Sequence, residues 1–235
     1  MILVHGFTQS ADAWQPLAER IATRHEVLAL DAPGHGRSAE IRAGLWDGAR
    51  LLSEAGGRGA WIGYSMGGRL LLHVALTRPD LVERMVLVSA SGGIDDAEER
   101  AARVASDEQI ARRVERDGVE AFVRWWLDRP LFATLPDAAA ALDARLGGTS
   151  AGLAWSLRLA GAGRQEPLWD RLGGIEVRVL VVVGELDAAY RQRGERLVRA
   201  IGPNARLEVV AGAGHACHLE QPEAWLAVVA PFLDA

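Results

Sequence analysis

The chain predicts an α/β fold in which a mostly parallel, doubly wound sheet is interrupted by a long helical insertion. Three observations predict it. Short apolar runs alternate with amphipathic stretches in both the first and the last third of the sequence, the rhythm of strands joined by crossover helices. One run, Val179-Leu180-Val181-Val182-Val183, is continuously apolar, as expected of a strand covered on both faces. Between about Asp95 and Asp170 the rhythm stops, and only helix-like segments follow one another.

Taken in order, residues 1–4 read as a buried strand ending at His5-Gly6-Phe7. Residues 10–24 read as a helix, with Trp14, Leu17, Ala18 and Ile21 on one face and Ser10 as its N-cap. A short strand over 26–30 runs into the turn-rich stretch Asp31-Ala32-Pro33-Gly34-His35-Gly36-Arg37-Ser38. His35 reads there as a structural residue bonding its own backbone rather than as a catalytic one. A helix over 45–55 ends at Gly56-Gly57, and the strand Ala60-Trp61-Ile62 precedes a helix over 69–76. Arg78-Pro79-Asp80 breaks that helix before a strand at 85–88. Helices are predicted over 97–114, 119–127, 136–146 and 152–160, then the strand at 179–183, a helix over 193–201, a last strand at 207–210 and a C-terminal helix over 222–233. The implied organisation is a core of residues 1–94 and 171–235, with residues 95–170 inserted as a helical cap over the carboxyl edge of the sheet.

Composition narrows the function. The 235 residues are 49% apolar with a mean hydropathy of +0.05 and a formal charge of -5, which fits one well-buried globular core. No apolar run approaches the roughly 20 residues of a membrane-spanning helix. Met1-Ile2-Leu3-Val4 offers no basic leader, and the single cysteine, Cys217, cannot form an intrachain disulfide. Both suit a cytoplasmic protein. All 26 basic residues are arginine, so Schiff-base and P-loop lysine chemistry is excluded. No basic stripe suggests nucleic acid. Arginines in a pocket would be good bidentate ligands for carboxylates.

The motif that organises the chain is Gly63-Tyr64-Ser65-Met66-Gly67, set between a strand and a helix. That is the setting of a nucleophile elbow, where a sharp turn pushes the serine hydroxyl out of the sheet. The glycines let strand and helix pass closely. The Met66 N–H, at a helix start, and the Phe7 N–H, in the loop after the first strand, are the expected oxyanion-hole donors. Asp187 and His215 each follow a predicted strand, so all three side chains should project from one sheet edge. Ser65, Asp187 and His215 stand in the chain order of α/β-hydrolases. His215 would take the Ser65 proton and Asp187 would hold the imidazole. Glu185, Asp95 and Asp96 are the alternative acids. His215-Ala216-Cys217-His218 resembles a zinc half-site, but its spacing is too tight and no second ligand pair accompanies it. No metal and no organic cofactor is expected, and Cys217 and His218 read as packing residues.

Through these motifs the chain resembles the α/β-hydrolase superfamily along its whole length. More closely it resembles the 2-succinyl-6-hydroxy-2,4-cyclohexadiene-1-carboxylate synthases of menaquinone biosynthesis. The segments that carry the closer resemblance are the elbow extended to Gly68-Arg69, Glu98-Glu99-Arg100-Ala101-Ala102-Arg103, and Phe122-Val123-Arg124-Trp125-Trp126 with Pro130-Leu131-Phe132. Gly152-Leu153-Ala154-Trp155-Ser156-Leu157-Arg158, leading to Pro167-Leu168-Trp169, completes the set. The resemblance implies a lyase that removes a ring proton from 2-succinyl-5-enolpyruvyl-6-hydroxy-3-cyclohexene-1-carboxylate and expels pyruvate. Ser65 would then be a general base rather than an acylating nucleophile. Arg69, Arg103 and Arg158 would bind carboxylates of this small-molecule substrate, with Tyr64 and Trp126 lining the pocket. The protein would act as a monomer or small homo-oligomer, without nucleic acid or membrane. Two departures stand out: relatives carry a further strand or hairpin before the His-Gly loop, and a charged residue with an aromatic after the acid, where this chain has Ala188-Ala189-Tyr190. Two alternatives keep the same motifs: a carboxylic-ester or C–C bond serine hydrolase, and a non-enzymatic receptor on a hydrolase fold.

Overall fold

The computed structural model describes residues 1–234. Six strands form one parallel sheet: β1 (Ile2–Val4), β2 (Leu28–Leu30), β3 (Gly59–Tyr64), β4 (Val82–Val88), β5 (Arg178–Gly184) and β6 (Ala205–Val210), in the order β2-β1-β3-β4-β5-β6. The order reverses direction at β1, so crossovers pack on both faces and every central strand is buried twice. Side chains alternate accordingly. Trp61, Met85, Leu87, Val179, Val181 and Val183 join one apolar core; Ile62, Tyr64, Val86, Val88, Leu180 and Val182 join the other.

The first core is closed by α2 (Leu45–Gly56), α3 (Met66–Thr77) and α7 (Ala188–Ile201). The second is closed by α1 (Gln15–Ile21) and α9 (Pro222–Asp234); Trp14, just before α1, and Trp225, on α9, are fully buried beside one another. A single turn, α8 (Cys217–Glu220), precedes α9. Ser10 does not cap a helix through its side chain: residues 11–14 form a 3₁₀ turn instead, and the Ala11 N–H is held by Asp31 Oδ1 at 2.7 Å.

Between β4 and β5 the described residues contain no strand. They form α4 (Ala97–Leu127), α5 (Leu142–Leu146), α6 (Ser150–Ala160) and short 3₁₀ turns. The two helices expected over 97–114 and 119–127 are one element broken at Gly118, whose φ of 79° and ψ of 166° leave the helical region. The long helix expected over 136–146 is reduced to a 3₁₀ turn and the five residues of α5. Helices α4 and α6 share a third, separate core around Phe122, Val123, Leu153 and Leu157. No helix among the described residues is long and apolar enough to cross a membrane.

Candidate active site

Ser65 stands between β3 and α3 with φ 50° and ψ -105°. A non-glycine residue at positive φ is strained, and it persists only when its surroundings over-determine it. Here they do. The Ser65 N–H donates to the Val88 carbonyl at 2.8 Å and its own carbonyl accepts from Arg69 N–H at 3.0 Å. A Cβ at Gly63 would lie 2.7 Å from the Gly67 backbone, and one at Gly67 would lie 2.2 Å from the Val4 carbonyl oxygen. The two glycines therefore permit the strand-to-helix contact that ejects Ser65 Oγ toward the pocket.

His215 sits in the loop after β6, with Nε2 3.1 Å from Ser65 Oγ and Nδ1 2.8 Å from Asp187 Oδ2. Asp187 is also the N-cap of α7, accepting the Tyr190 N–H on Oδ1 at 3.1 Å. Both ring nitrogens of His215 are thus committed to the partners a proton relay needs. The alternative acids are engaged elsewhere. Glu185 accepts the Gly212 N–H at 2.8 Å, Asp96 caps α4 through the Glu99 N–H at 2.8 Å, and Asp95 pairs with Arg196.

Two residues that the sequence did not single out hold the His215 loop. The buried Glu220 carboxylate accepts the N–H groups of Gly214 at 2.6 Å and Ala216 at 3.0 Å. Ser89 Oγ, buried at the end of β4, donates to the His215 carbonyl at 2.8 Å. Their signal was weak because a lone glutamate and a serine after a strand are common, and the carbonyl that Ser89 meets is distant in sequence.

On the other side of Ser65, the loop after β1 turns through Thr8 at φ 71°, tied by Gly6 N–H to Gln9 Oε1 at 3.0 Å. Among the described residues, neither the Phe7 nor the Met66 amide meets a hydrogen-bond acceptor. Met66 also opens α3, where negative charge is favoured.

Ser65 opens into a cavity of about 250 Å³ walled by α4 and α6 through Trp126 and Leu157 and by α7 through Tyr190. Arg69, Arg103 and Arg193 line it, and no carboxylate does. Arg69 is half-buried and donates from Nη1 to the Ala160 carbonyl at 2.9 Å; desolvation lowers its pKa to about 10, still cationic at neutral pH. Arg103 spends Nε on the buried Asp107 carboxylate at 2.8 Å. A second cavity of about 330 Å³, lined by Arg129 and Phe132, shares Arg103, Trp126 and Leu131 with the first.

Two expected pocket residues are elsewhere. Arg158 does not line the cavity. Its guanidinium forms four hydrogen bonds with Glu108 and Glu115 on α4, which raise its pKa. It is a fastener between α4 and α6, because α6 turns Leu157, not Arg158, inward. Tyr64 is 2% exposed and lies on the opposite sheet face from the pocket, packed 5.5 Å from the His215 ring and 4.4 Å from His218. It supports the imidazole from below.

Arg145, on α5, is the largest surprise. It is fully buried, with no carboxylate partner among the described residues. Nε donates to the Ala140 carbonyl at 2.8 Å, and Nη1 donates to Thr8 Oγ1 and toward the Phe7 carbonyl. Burial pushes its pKa down to about 10. It ties the insertion to the loop that carries the Phe7 amide. His35 is buried and its Nδ1 donates to the Pro33 carbonyl at 3.0 Å, a backbone-bonding role. Cys217 and His218 are buried too, and His218 packs between the Trp14 and Tyr64 rings.

A parallel sheet, an elbow serine and a Ser–His–Asp relay at its carboxyl edge define a class. The chain belongs to the alpha/beta hydrolase family, whose model matches residues 1–228. Within it, the chain is 34% identical to a Bacillus subtilis (strain 168) protein provisionally named 2-succinyl-6-hydroxy-2,4-cyclohexadiene-1-carboxylate synthase, over 100% of this chain and 90% of that one. It is 30% identical to the 2-succinyl-6-hydroxy-2,4-cyclohexadiene-1-carboxylate synthase of Serratia proteamaculans (strain 568), over 99% and 92% of the two chains. The solved structure of MenH from S. aureus superposes with a TM-score of 0.92 at 27% identity, covering 99% of this chain and 92% of that one.

Proposed function

We propose that this protein is a carbon–oxygen lyase that eliminates pyruvate from 2-succinyl-5-enolpyruvyl-6-hydroxy-3-cyclohexene-1-carboxylate, in the cytoplasm, as a step of menaquinone biosynthesis. One observation carries the reading: a Ser65–His215–Asp187 relay faces a cavity with three arginines and no acid. A neutral ester gains nothing from such a field, whereas a substrate with three carboxylates does. The named relatives support the same reading.

In this reading Ser65 Oγ, its proton passed to His215, accepts the ring proton alpha to the succinyl carbonyl. The C–H electron pair becomes a ring double bond, the existing ring double bond shifts, and the C–O bond to the enolpyruvyl group breaks. Enolpyruvate leaves with that pair, takes a proton through His215 and becomes pyruvate. The Phe7 and Met66 amides face the charge that develops on the succinyl oxygen. Asp187 keeps His215 in the tautomer that receives from Ser65. Residues 95–170 act as the cap, their walls excluding water from the carbanionic intermediate.

Pyruvate release from that substrate, followed by coupling to lactate dehydrogenase, tests the proposal. Pyruvate formed in step with loss of the enolpyruvyl group is expected. Brisk hydrolysis of p-nitrophenyl acetate with no pyruvate release would make the protein an ester hydrolase instead.

A further inference from the structure

Among the described residues, Arg193 is the one cation of the reaction cavity whose guanidinium makes no hydrogen bond or ion pair. It sits on α7, three residues after Tyr190, so both side chains leave the same face of the helix. Its guanidinium carbon lies 4.6 Å from the centroid of the Tyr190 ring, and that ring lies 4.4 Å from the His215 ring. Both Tyr190 and Arg193 line the cavity into which Ser65 opens.

Commitment separates Arg193 from its neighbours. Arg158 spends four N–H contacts on two carboxylates. Arg103 spends Nε on Asp107, and Arg69 spends Nη1 on the Ala160 carbonyl. Among the described residues Arg193 has no hydrogen-bond acceptor and no carboxylate within ion-pair distance. Its outer side borders a cleft that contains Asp95, Asp96 and Glu99, none of them within ion-pair distance of it. Asp95 is already paired with Arg196, and Asp96 is capping α4. A half-buried guanidinium held over an aromatic ring, with its N–H donors unspent, is preorganised for a planar bidentate anion.

We propose that Arg193 is a substrate-binding and specificity-determining residue. It clamps one carboxylate of a polycarboxylate substrate while Tyr190 fixes its plane, and with Arg69 and Arg103 it completes a three-cation pocket. Arg193 fills the role that the sequence assigned to Arg158. The inference rests on the polycarboxylate reading of this site and adds the identity of the third cation. It also gives the pocket a polarity. Arg193 projects from the helix that begins at the catalytic acid, so the carboxylate it holds lies on the His215 side of Ser65, across the cavity from the α4 side that carries Arg103.

The test separates binding from turnover. Isothermal titration of the wild-type protein and of Arg193→Gln, Arg193→Lys and Arg158→Gln would use propane-1,2,3-tricarboxylate and the dicarboxylate pentanedioate as probes. Arg193→Gln is expected to weaken the tricarboxylate by about tenfold or more and to erase most of the preference over pentanedioate, with Arg193→Lys partly restoring it. Arg158→Gln is expected to bind like the wild type. With the substrate, Arg193→Gln should raise KM by a similar factor and leave kcat and its pH dependence nearly unchanged. Tricarboxylate binding by Arg193→Gln within about twofold of wild type overturns the inference. So does an equal loss for both probes, a fall in kcat alone, or no measurable tricarboxylate binding by the wild-type protein. Intact tricarboxylate binding without pyruvate release would overturn the lyase reading and leave Arg193 in place.

Discussion

The Tyr190 ring lies 4.4 Å from the His215 ring while the Tyr190 backbone N–H donates to Asp187 Oδ1 at 3.1 Å. The first turn of α7 therefore fixes the acid through its backbone and the base through its side chain. Asp187 is left with one oxygen for the helix cap and one for the imidazole. Asp187→Asn has a single acceptor oxygen, so it either keeps the helix cap and turns its NH2 toward His215 or offers His215 a neutral acceptor and loses the cap. The expected result is a fall in kcat of about 10³–10⁴ with KM little changed, as for other relays of this type. Steady-state pyruvate release measures it, and a loss of less than about tenfold would remove Asp187 from the relay.

Arg158 joins α6 to α4 at its exposed margin. Arg158→Ala is expected to leave KM for the substrate within about twofold and to lower the melting temperature. The effect has a pH signature. Hydrogen bonds from Arg158 and Arg112 hold the Glu108 carboxyl down at about 2, against an ordinary 4.5, and Glu115 is lowered by Arg158 as well. A lowered folded pKa means the contribution is present above 4.5 and is lost as pH falls toward 2. The gap in melting temperature between wild type and Arg158→Ala should accordingly close as pH drops through that window. A gap that is constant with pH would assign the stabilisation to packing on Trp155, whose ring centroid lies 5.6 Å from the Arg158 guanidinium carbon.

The contrast between Arg158 and Arg193 shows what could be read in the sequence and what could not. The relay was legible because each member announces itself locally. Ser65 lies within a glycine elbow, Asp187 comes just after the strand that Gly184 ends, and His215 closes the glycine-containing loop after β6. All strands of a parallel sheet end at one edge, so local signals sufficed to bring three distant residues together. The strands themselves were legible for the same reason. The arginines were not, because the direction of a helical side chain depends on which face the tertiary structure buries. Arg158 finds its acids 43 and 50 residues away. The place of Tyr64 is legible in the strand period: on β3 it alternates with Gly63, so it belongs to the face that carries Ile62. Arg145 lay in a segment read as an ordinary helix, and nothing local marks a guanidinium that will be buried against Thr8.

Gly67 is the test of the elbow as a packing device. Its missing Cβ leaves room for the Val4 and His5 carbonyls, which a methyl would approach to 2.2 and 2.7 Å. Both are backbone atoms of β1 and the loop after it, with no flexible end to move away. Gly67→Ala should destabilise the fold by about 1–3 kcal/mol or more and displace the Phe7 amide along with the strand. Denaturant unfolding would report the first and kcat the second. An unchanged midpoint with unchanged kcat would show that α3 and β1 can separate without cost.

The buried histidines make stability fall on the acid side for a reason separate from the relay. His218 and His35 are held neutral, their pKa values lowered to about 3 by burial, and His73 is lowered to about 4. In the unfolded chain each titrates near 6.5. Between those limits the unfolded state binds a proton that the native state refuses, so stability is full above about 6.5 and drops as pH falls. Each such histidine adds a slope of about 1.4 kcal/mol per pH unit in the middle of its window. His218 packs on Trp14 and Tyr64 and does not line the cavity at Ser65. His218→Asn should therefore lower stability at pH 7 through lost ring packing, yet flatten the fall between pH 6 and pH 4 by about that single-proton slope. Chemical denaturation across that range measures both effects. A variant whose curve runs parallel to wild type would mean that His218 takes up its proton in the folded state, and the two rings that enclose it would have to open to admit the charge.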